Sequence, residues 1–296
     1  MHKSSLEGVY DLISAEDPIP LVFDSPHSGT CFPEDFHPAC SFQDLEKAED
    51  KYVDALFNDA PAYKACLLSA IFPRTYLDLN RAETDIDPEL YEGEWPQGAI
   101  IPNPTNRSYA GIGLIRRLVR PGQPVYDGPL TAEEIYHRIN NYYRPYHQTL
   151  EKLIEGAHYN YGQVWHINCH SMPSAASARG ALGRVNPMIA PDFVLGDRDG
   201  TSCDIDFTHA VRDFFKSKGY RVAINDPYKG VELVKRYSAP ATGRHSLQLE
   251  ISRGLYLNEE TYEKGKNYDN LKSDLSAFIA FCSEYVQSNL IQMAAD

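Results

Sequence analysis

The sequence predicts an α/β fold built around a mixed β-sheet, and three observations carry that prediction. Short apolar runs alternate along the chain with segments of helical periodicity, an order typical of strands and helices packed in layers. Two of the helical segments begin at capping boxes and one ends at a glycine. Apolar residues make up 43% of the chain and charged residues 23%, which is the composition of a folded globular protein.

The predicted strands are short runs of apolar or β-branched residues that end in turn-forming or polar residues. They are Leu21–Asp24, Thr75–Leu79, Val164–Asn168, Arg221–Asn225 and Ser246–Ile251. The stretches at 65–78 and after Gly243 could pair antiparallel, so we expect a mixed sheet rather than a wholly parallel one.

The clearest predicted helix follows Thr131, which forms a T-x-x-E capping box with Glu134. Apolar side chains continue at helical spacing as far as Leu153, and Pro145 is expected to kink this helix. Further helices are predicted at Phe42–Asn58, Asp206–Lys218 and about Leu271–Met293.

The region at about 88–128 is the least regular part of the chain. It holds many proline, glycine and asparagine residues and little periodicity, so it is predicted to be a long loop insertion running over the surface. Loops of this length are often functional.

Charge and composition exclude several classes of partner. The net charge of −13 comes from 28 basic and 41 acidic residues without a Lys/Arg run, which argues against binding to nucleic acid or to an anionic membrane. No apolar stretch approaches the roughly 18 residues of a spanning helix, and the first residues lack a signal-peptide core. The six scattered cysteines are expected to be free thiols. A soluble, cytoplasmic protein is therefore expected.

Polar residues follow four of the predicted strands at the point where each strand ends. They are His27, Asn80 with Arg81, His170 and Glu250. Ligands of open α/β sheets bind beyond the carboxyl ends of the strands, so the sequence predicts a site there. Taken singly, each residue is explained as well by an ordinary loop hydrogen bond or a solvated charge.

Two histidines and a carboxylate are the usual protein ligands of a catalytic zinc ion. The helix after Phe42 offers Glu49 and Asp50 as the carboxylate, although both could also belong to a solvated acidic face. The sequence has no H-E-x-x-H, G-x-S-x-G or P-loop motif, and Gly111–Gly113 lacks the surroundings of a dinucleotide site. These absences disfavour other common catalytic and nucleotide-binding classes.

The motifs resemble those of the N-formylglutamate amidohydrolases (N-formylglutamate deformylases). The matching segments are Leu21–Gly29, Glu49–Leu56, Tyr76–Arg81, Tyr142–His147, Asn168–Ser171, Asp192–Cys203, Tyr228–Gly230, Arg236–Tyr237 and His245–Arg253. They run in order through most of the chain, so residues 1–296 are expected to form a single catalytic domain that includes the loop insertion.

The L-D-L-N-R segment at 77–81 is also similar to the aspartoacylase and succinylglutamate desuccinylase group of the zinc carboxypeptidase-like superfamily. This resemblance implies a three-layer αβα fold of the phosphorylase/hydrolase type, with a central mixed sheet. It also implies one zinc ion per chain.

For the metal and the base, the resemblance implies roles for particular residues. His27 and His170 match the histidine ligands and Glu250 matches the general base. The superfamily's H-x-x-E is absent here, so the carboxylate ligand is assigned to the 49–54 segment. Asp50 is the assigned ligand there, with Glu49 as the alternative.

For the substrate, the resemblance implies that Asn80 and Arg81 hold a carboxylate. A dicarboxylate needs a second cation, for which Arg236 and Lys229 are the candidates. An ordinary surface charge explains each of these two residues equally well. Ser171 is expected to order a hydrogen bond beside His170, or to be an ordinary satisfied loop hydroxyl.

The implied function is zinc-dependent hydrolysis of the amide bond of an N-acyl amino acid. The implied substrate is N-formyl-L-glutamate, which would give formate and L-glutamate in histidine degradation. One alternative is a zinc amidohydrolase or carboxypeptidase-like enzyme for another N-acyl amino acid or a short peptide. The other alternative is a non-catalytic ligand-binding relative. The sequence departs from the family pattern at 225–227, which leaves the substrate open; a homo-oligomer is compatible with the sequence.

Overall fold

The computed structural model describes residues 1–174 and 190–295, and within them the backbone forms a large central sheet with two small two-stranded sheets beside it. The strands are β1 (His2–Leu6), β2 (Tyr10–Ser14), β3 (Leu21–Ser25), β4 (Cys66–Ala70), β5 (Tyr91–Glu92), β6 (Leu118–Arg120), β7 (Gln123–Pro124), β8 (Leu130–Thr131), β9 (Val164–Met172), β10 (Phe193–Gly196), β11 (Val222–Ile224) and β12 (Arg244–Ser252).

The α-helices of the described residues range from single turns to one long helix near the end of the chain. They are α1 (Phe42–Glu46), α2 (Val53–Leu56), α3 (Asn106–Tyr109), α4 (Ala132–Arg138), α5 (Arg144–Tyr161), α6 (Ile205–Ser217), α7 (Glu232–Tyr237) and α8 (Tyr268–Ala295). Short 3₁₀ turns lie at Ala60–Tyr63, Pro240–Thr242 and Arg253–Leu255. Within the described ranges, every helix is too short or too polar to cross a membrane.

The central sheet is mixed, as predicted. Its eight strands are ordered β1-β2-β4-β3-β9-β12-β10-β11. The neighbours β4, β3, β9 and β12 run parallel, whereas β10 runs antiparallel to β12, and β2 runs antiparallel to β1 and β4. The parallel centre brings the carboxyl ends of β3, β9 and β12 to one edge.

Each face of the sheet is covered by its own layer of helices. In β9, Trp165, Ile167 and Cys169 pack with α2, α6 and α8 in one buried cluster. Alternate residues of a strand point to opposite faces, and the other face supports a second cluster with α4, α5 and α7. The three-layer αβα fold expected from the sequence is confirmed.

Two predicted elements differ from the observed ones. Thr75–Leu79 is a loop, and the strand beside β3 is β4 instead, because the backbone around Thr75 bonds to other partners: the Arg74 and Thr75 amides donate to the Glu49 carboxylate. The helix predicted at Phe42–Asn58 is broken into α1 and α2. Tyr52, directly before α2, has a left-handed backbone (φ 68°).

The helix after Thr131 begins with the predicted capping box, in which Thr131 and Glu134 each bond to the other's backbone amide. The predicted interruption at Pro145 takes the form of a π-helical segment at Ile139–Tyr143 between α4 and α5. A proline cannot donate to the preceding turn, so a local change of helix type is the physical consequence.

The 88–128 insertion is more than a surface loop. Leu90, Leu114, Ile115, Val119 and Val125 are buried in the second cluster. Leu114 also accepts the Asp78 amide (2.7 Å) and donates to the Asp85 carbonyl (2.7 Å). The insertion is therefore fixed against the segment that carries Asn80 and Arg81.

Candidate active site

The carboxyl ends of neighbouring parallel strands deliver the polar residues of the site. His27 follows β3, His170 lies near the end of β9, and Glu250 lies near the end of β12. In the β9–β12 register, His170 is opposite Glu250 and Asn168 is opposite Gln248. Opposed residues on adjacent strands share a face of the sheet. These side chains therefore form the floor of one site.

His27, Asp50 and His170 form a buried cluster whose ligand atoms all lie within 4.8 Å of one another. The two Nδ1 atoms are 3.1 Å apart. The Asp50 Oδ2 atom lies 3.0 Å from His170 Nδ1 and 3.3 Å from His27 Nδ1. The structure thus brings together the three residues that the sequence suggested as metal ligands.

The far nitrogen of His27 has a fixed hydrogen-bond partner. His27 Nε2 lies 2.7 Å from Asp78 Oδ1. Burial raises the pKa of Asp78, but the positive charge of Arg74 opposes burial, and the pKa lies well below its usual value. Asp78 is therefore an acceptor, so Nε2 carries the hydrogen and a neutral His27 presents its Nδ1 lone pair to the cluster.

His170 has an equivalent partner on its own strand. Its Nε2 atom lies 2.7 Å from Asn168 Oδ1. The Asn168 amide is oriented by its Nδ2 group, which donates to Asp24 Oδ1 (2.8 Å). Asn80 Nδ2 also lies 3.1 Å from His170 Nε2, but the closer contact is to the Asn168 acceptor, which assigns the hydrogen to Nε2 and leaves the Nδ1 lone pair facing the cluster.

The cluster fits a metal ion. Two imidazole lone pairs and a carboxylate oxygen repel each other at 3.0–3.3 Å, and a metal ion among them, like a proton on one Nδ1 atom, relieves that repulsion. Zinc bonds of about 2.0–2.1 Å in tetrahedral geometry separate ligand atoms by about 3.3 Å. Two histidines and one carboxylate also leave a fourth position for a reactant, as catalytic zinc sites do.

The second oxygen of Asp50 is held away from the histidines. Its Oδ1 atom accepts from Arg253 Nη2 (3.1 Å) and from Ser171 Oγ (3.3 Å). Ser171 Oγ in turn accepts from Arg253 Nε (3.2 Å). Ser171, expected to bond beside His170, thus bonds to Asp50 itself, and the two contacts fix which carboxylate oxygen faces the cluster.

Glu49 lies next to Asp50 in the chain but outside the cluster. Its carboxylate accepts from the Arg74 amide (2.9 Å) and from the Thr75 amide and hydroxyl (3.3 and 3.1 Å). Burial raises its pKa to about 8. Its oxygens are therefore used to hold the 74–75 turn, and the geometry favours Asp50 over Glu49 as the carboxylate ligand.

Glu250 is buried at the floor of the site beside His170. Its Oε1 atom accepts from Gln248 Nε2 (2.8 Å). Burial raises the pKa of Glu250 above its ordinary value, which brings it toward the range in which a carboxylate exchanges protons efficiently.

The cluster opens into a cavity of about 260 Å³. Asn80 and Arg81 line it, as expected. The Asn80 side chain is anchored through Oδ1, which accepts the Leu233 amide (2.9 Å). Arg81 donates to the carbonyls of Asn80 (2.9 Å) and Ile112 (3.2 Å), and its Nη2 atom is 3.9 Å from Asp78.

The two candidates for a second substrate cation lie outside this cavity. Arg236 donates to the Tyr143 hydroxyl (3.4 Å) and lies over the Tyr237 ring. The Lys229 side chain is 58% exposed, pairs with Asp199 (2.9 Å) and lines a neighbouring cavity. Within the described residues the cavity's lining includes neither Lys229 nor Arg236.

Several residues of the site were not anticipated from the sequence. They are Asp24, Arg74, Asp78, Arg107, Arg116, Asn168, Gln248 and Arg253. The sequence does carry a signal for Asn168 and Gln248. Polar residues stand at every second position toward the carboxyl ends of β9 and β12, which places them on one face of the sheet. Arg107 and Arg116 lie in the irregular insertion, where no periodicity predicts that their side chains line the cavity.

Comparison with known proteins identifies relatives over most of the chain. The family model described as N-formylglutamate amidohydrolase matches residues 19–257. The N-formylglutamate deformylase of Pseudomonas putida is 25% identical over 283 residues, covering 91% of this chain and 96% of the relative. The deformylase of Pseudomonas aeruginosa is 26% identical over 252 residues, covering 82% and 84%.

Solved structures agree with these relatives. The crystal structure of N-formylglutamate amidohydrolase from Ralstonia eutropha JMP134 is similar with a TM-score of 0.90 and 44% identity, covering 95% of this chain and 99% of that one. A gene product of Agrobacterium tumefaciens shares the fold, with a TM-score of 0.64 and 16% identity over 97% of this chain and 96% of that one.

Proposed function

The chain belongs to the N-formylglutamate amidohydrolase family, and on that basis we propose that it hydrolyses the formyl amide bond of N-formyl-L-glutamate, giving formate and L-glutamate. One observation carries the proposal: His27, Asp50 and His170 converge beside a buried Glu250 at a cavity lined by arginines. We also propose that residues 1–296 act as one catalytic domain.

We propose that His27, Asp50 and His170 hold one zinc ion. The support is the arrangement of the two histidines. The Nε2 atom of His27 bonds to Asp78 and that of His170 bonds to Asn168, so both Nδ1 atoms face the cluster. When bound, zinc supplies Lewis-acid chemistry, which lowers the pKa of water toward roughly 7 and polarises an amide carbonyl.

Glu250 is the proposed general base and acid. It takes a proton from the attacking water as the new C–O bond forms at the formyl carbon. It then returns that proton to the amine nitrogen as the C–N bond breaks, which balances the hydrolysis. Gln248 holds Oε1, so Oε2 is the proposed oxygen for both transfers.

The chain's own cations position the substrate and its developing charge. Arg81 is proposed to bind the α-carboxylate, since its guanidinium presents a fork of donors to a carboxylate. Arg74 donates twice to Asp78 (3.2 and 2.7 Å) and lines the same cavity. We propose that Arg74 stabilises the negative charge that develops on the carbonyl oxygen.

A substrate panel tests this function. Zinc-loaded protein should release formate from N-formyl-L-glutamate, and it should act at least about tenfold more slowly on N-acetyl- and N-succinyl-L-glutamate, because a larger acyl group crowds the buried floor. Formate release by enzymatic assay and glutamate release by chromatography give the rates. Preference for an acetyl or succinyl group would contradict the assignment.

A second candidate is an amidohydrolase for a longer N-acyl amino acid or a short peptide. A neighbouring cavity of about 550 Å³ favours it, because that cavity shares Arg81, Arg107, Tyr228 and Val231 with the first. The same panel, extended to N-formyl dipeptides, separates the two candidates.

A further inference from the structure

The cavity beside the metal cluster is lined by more positive charge than its own acidic residues can balance. Its basic residues are Lys47, Arg74, Arg81, Arg107, Arg116 and Arg253, whereas its acidic residues are Asp50 and Glu250. Four of the cations have a carboxylate within 4.0 Å: Lys47 with Asp44, Arg74 and Arg81 with Asp78, and Arg253 with Asp50.

Arg116 has no such partner. In residues 1–174 and 190–295, no carboxylate lies within 4.0 Å of its side chain and no side-chain hydrogen bond is formed; its Nε atom is buried and unpaired. Burial, followed by repulsion from Arg74, lowers the pKa of Arg116 to about 9.

Arg116 is partly buried, and a guanidinium withdrawn from solvent without an anion is costly to a folded protein. Such an arrangement is expected where a ligand supplies the missing anion, because the cation is then held in place before binding. Arg81, which lines the same cavity and is 3.9 Å from Asp78, is already assigned to one carboxylate, so Arg116 is available for a second.

The loop around Arg116 is built to hold it there. Residues Ile112 and Arg116 form an antiparallel β-bridge, and the Leu114 backbone bonds to both Asp78 and Asp85. A Cβ atom on Gly113 would lie 2.5 Å from Ser108 Oγ and 2.6 Å from the Asp85 carbonyl oxygen. The loop therefore packs too closely for a larger residue at 113, and its position is fixed by contacts on both sides.

We propose that Arg116 binds the side-chain carboxylate of a dicarboxylic N-acyl amino acid and so determines the preference of the site for an acidic side chain. This proposal rests on the proposed function, and it replaces Arg236 and Lys229 as the source of the second cation. Arg107 lies on the same insertion and also lines the cavity, but we assign it no role in binding this carboxylate.

The test compares substrates that differ only in side-chain charge. In Arg116→Gln, kcat/KM for N-formyl-L-glutamate should fall about 100-fold, as expected for losing one charged partner of a partly buried ion pair. For N-formyl-L-glutamine, whose side chain is neutral, kcat/KM should change less than about threefold, because no charged contact is lost. Arg116→Lys should fall between, since it keeps the charge but not the two-pronged geometry.

Arg120→Gln is the matched control, because Arg120 is exposed on the same insertion, and it should leave both rates unchanged. Equal losses on the two substrates in Arg116→Gln, or an unchanged preference for glutamate, would overturn the proposal. Calorimetric titration of zinc-loaded protein with L-glutamate tests the same contact without turnover. The Kd should rise at least about tenfold in Arg116→Gln, and an unchanged Kd would count against Arg116 even if the wild type proved inactive on N-formyl-L-glutamate.

Thermal unfolding of Arg116→Gln and Arg116→Lys shows whether each variant is folded. If Arg116→Gln unfolds, the comparison rests on Arg116→Lys, whose preference for glutamate over glutamine must still fall. Inactivity of the wild type on every N-formyl substrate would contradict the proposed function rather than the role of Arg116.

Discussion

Each histidine of the candidate metal cluster is oriented by an oxygen that is itself held in place. Asp78, which bonds to His27, is fixed by Arg74. Asn168, which bonds to His170, is fixed by Asp24. Such outer contacts set the tautomer and direction of a metal ligand, so the geometry of the cluster depends on buried residues one contact further out.

Substitution of Glu250 separates catalysis from metal binding. Glu250→Gln keeps the shape of the side chain but cannot accept a proton, so kcat should fall by about 10²–10⁴ while zinc content stays at the wild-type level. Lys229→Gln is a suitable control, because Lys229 lies outside the cavity. Gln248→Glu is unsuitable, because it adds a charge at the floor of the site. Near-normal turnover in Glu250→Gln would show that another group is the base.

The sequence located the residues at the floor of the candidate site but not the charges around them. His27, His170 and Glu250 stand at strand ends, where a positional rule applies. The choice between Glu49 and Asp50 required knowing that the 74–75 turn uses the Glu49 oxygens. That contact joins segments 25 residues apart, and no local pattern encodes it.

Among the elements, the turn after β3 has the tightest requirement. A Cβ atom at Gly29 would lie 2.2 Å from the Phe72 carbonyl oxygen and 2.3 Å from the Ile71 carbonyl carbon. This close approach lets the loop that follows β3 bring His27 beside the 71–78 segment. Glycine is therefore required at position 29, because the backbone of residues 71–72 leaves no room for a Cβ atom.

Gly29→Ala should lower the free energy of unfolding by about 3 kcal/mol or more, because the clash is with backbone rather than with a movable side chain. Gly156→Ala is the matched control: Gly156 lies in α5 with nothing within 4 Å of an added Cβ. That change should stabilise the protein by up to about 1 kcal/mol through helix propensity. Urea denaturation measures both, and a Gly29→Ala protein as stable as wild type would contradict the packing.

Elements with strong local signals were predicted well. The capping box at Thr131 and the apolar periodicity after it are encoded by residues within a few positions of one another. The predicted strand at Thr75–Leu79 was wrong, because its composition suits a strand while its backbone amides bond to Glu49. Tertiary contacts overrode local preference there.

On the scale of the whole molecule, net charge and local charge have opposite signs. The chain carries a formal charge of −13, yet its cavity is lined by six basic and two acidic residues. Surface charges are screened beyond about 8 Å at physiological salt. A small dianion in the cavity therefore interacts mainly with the arginines around it, whereas large polyanions are repelled by the negative surface.

We propose that the zinc ion held by His27, Asp50 and His170 both stabilises and activates the protein. A ligand that binds only the folded state raises its stability, so removal of the metal should lower the melting temperature as well as abolish formate release. His27→Ala should reproduce both effects, since it removes one of the three donors.

The most direct measurement is the zinc content of purified wild type and His27→Ala, with Arg236→Gln as a control away from the cluster. We expect about one zinc per chain in the wild type and in Arg236→Gln, and a large loss in His27→Ala with a melting temperature that added zinc no longer raises. Full zinc occupancy in His27→Ala would contradict the ligand assignment and, with it, the proposed mechanism.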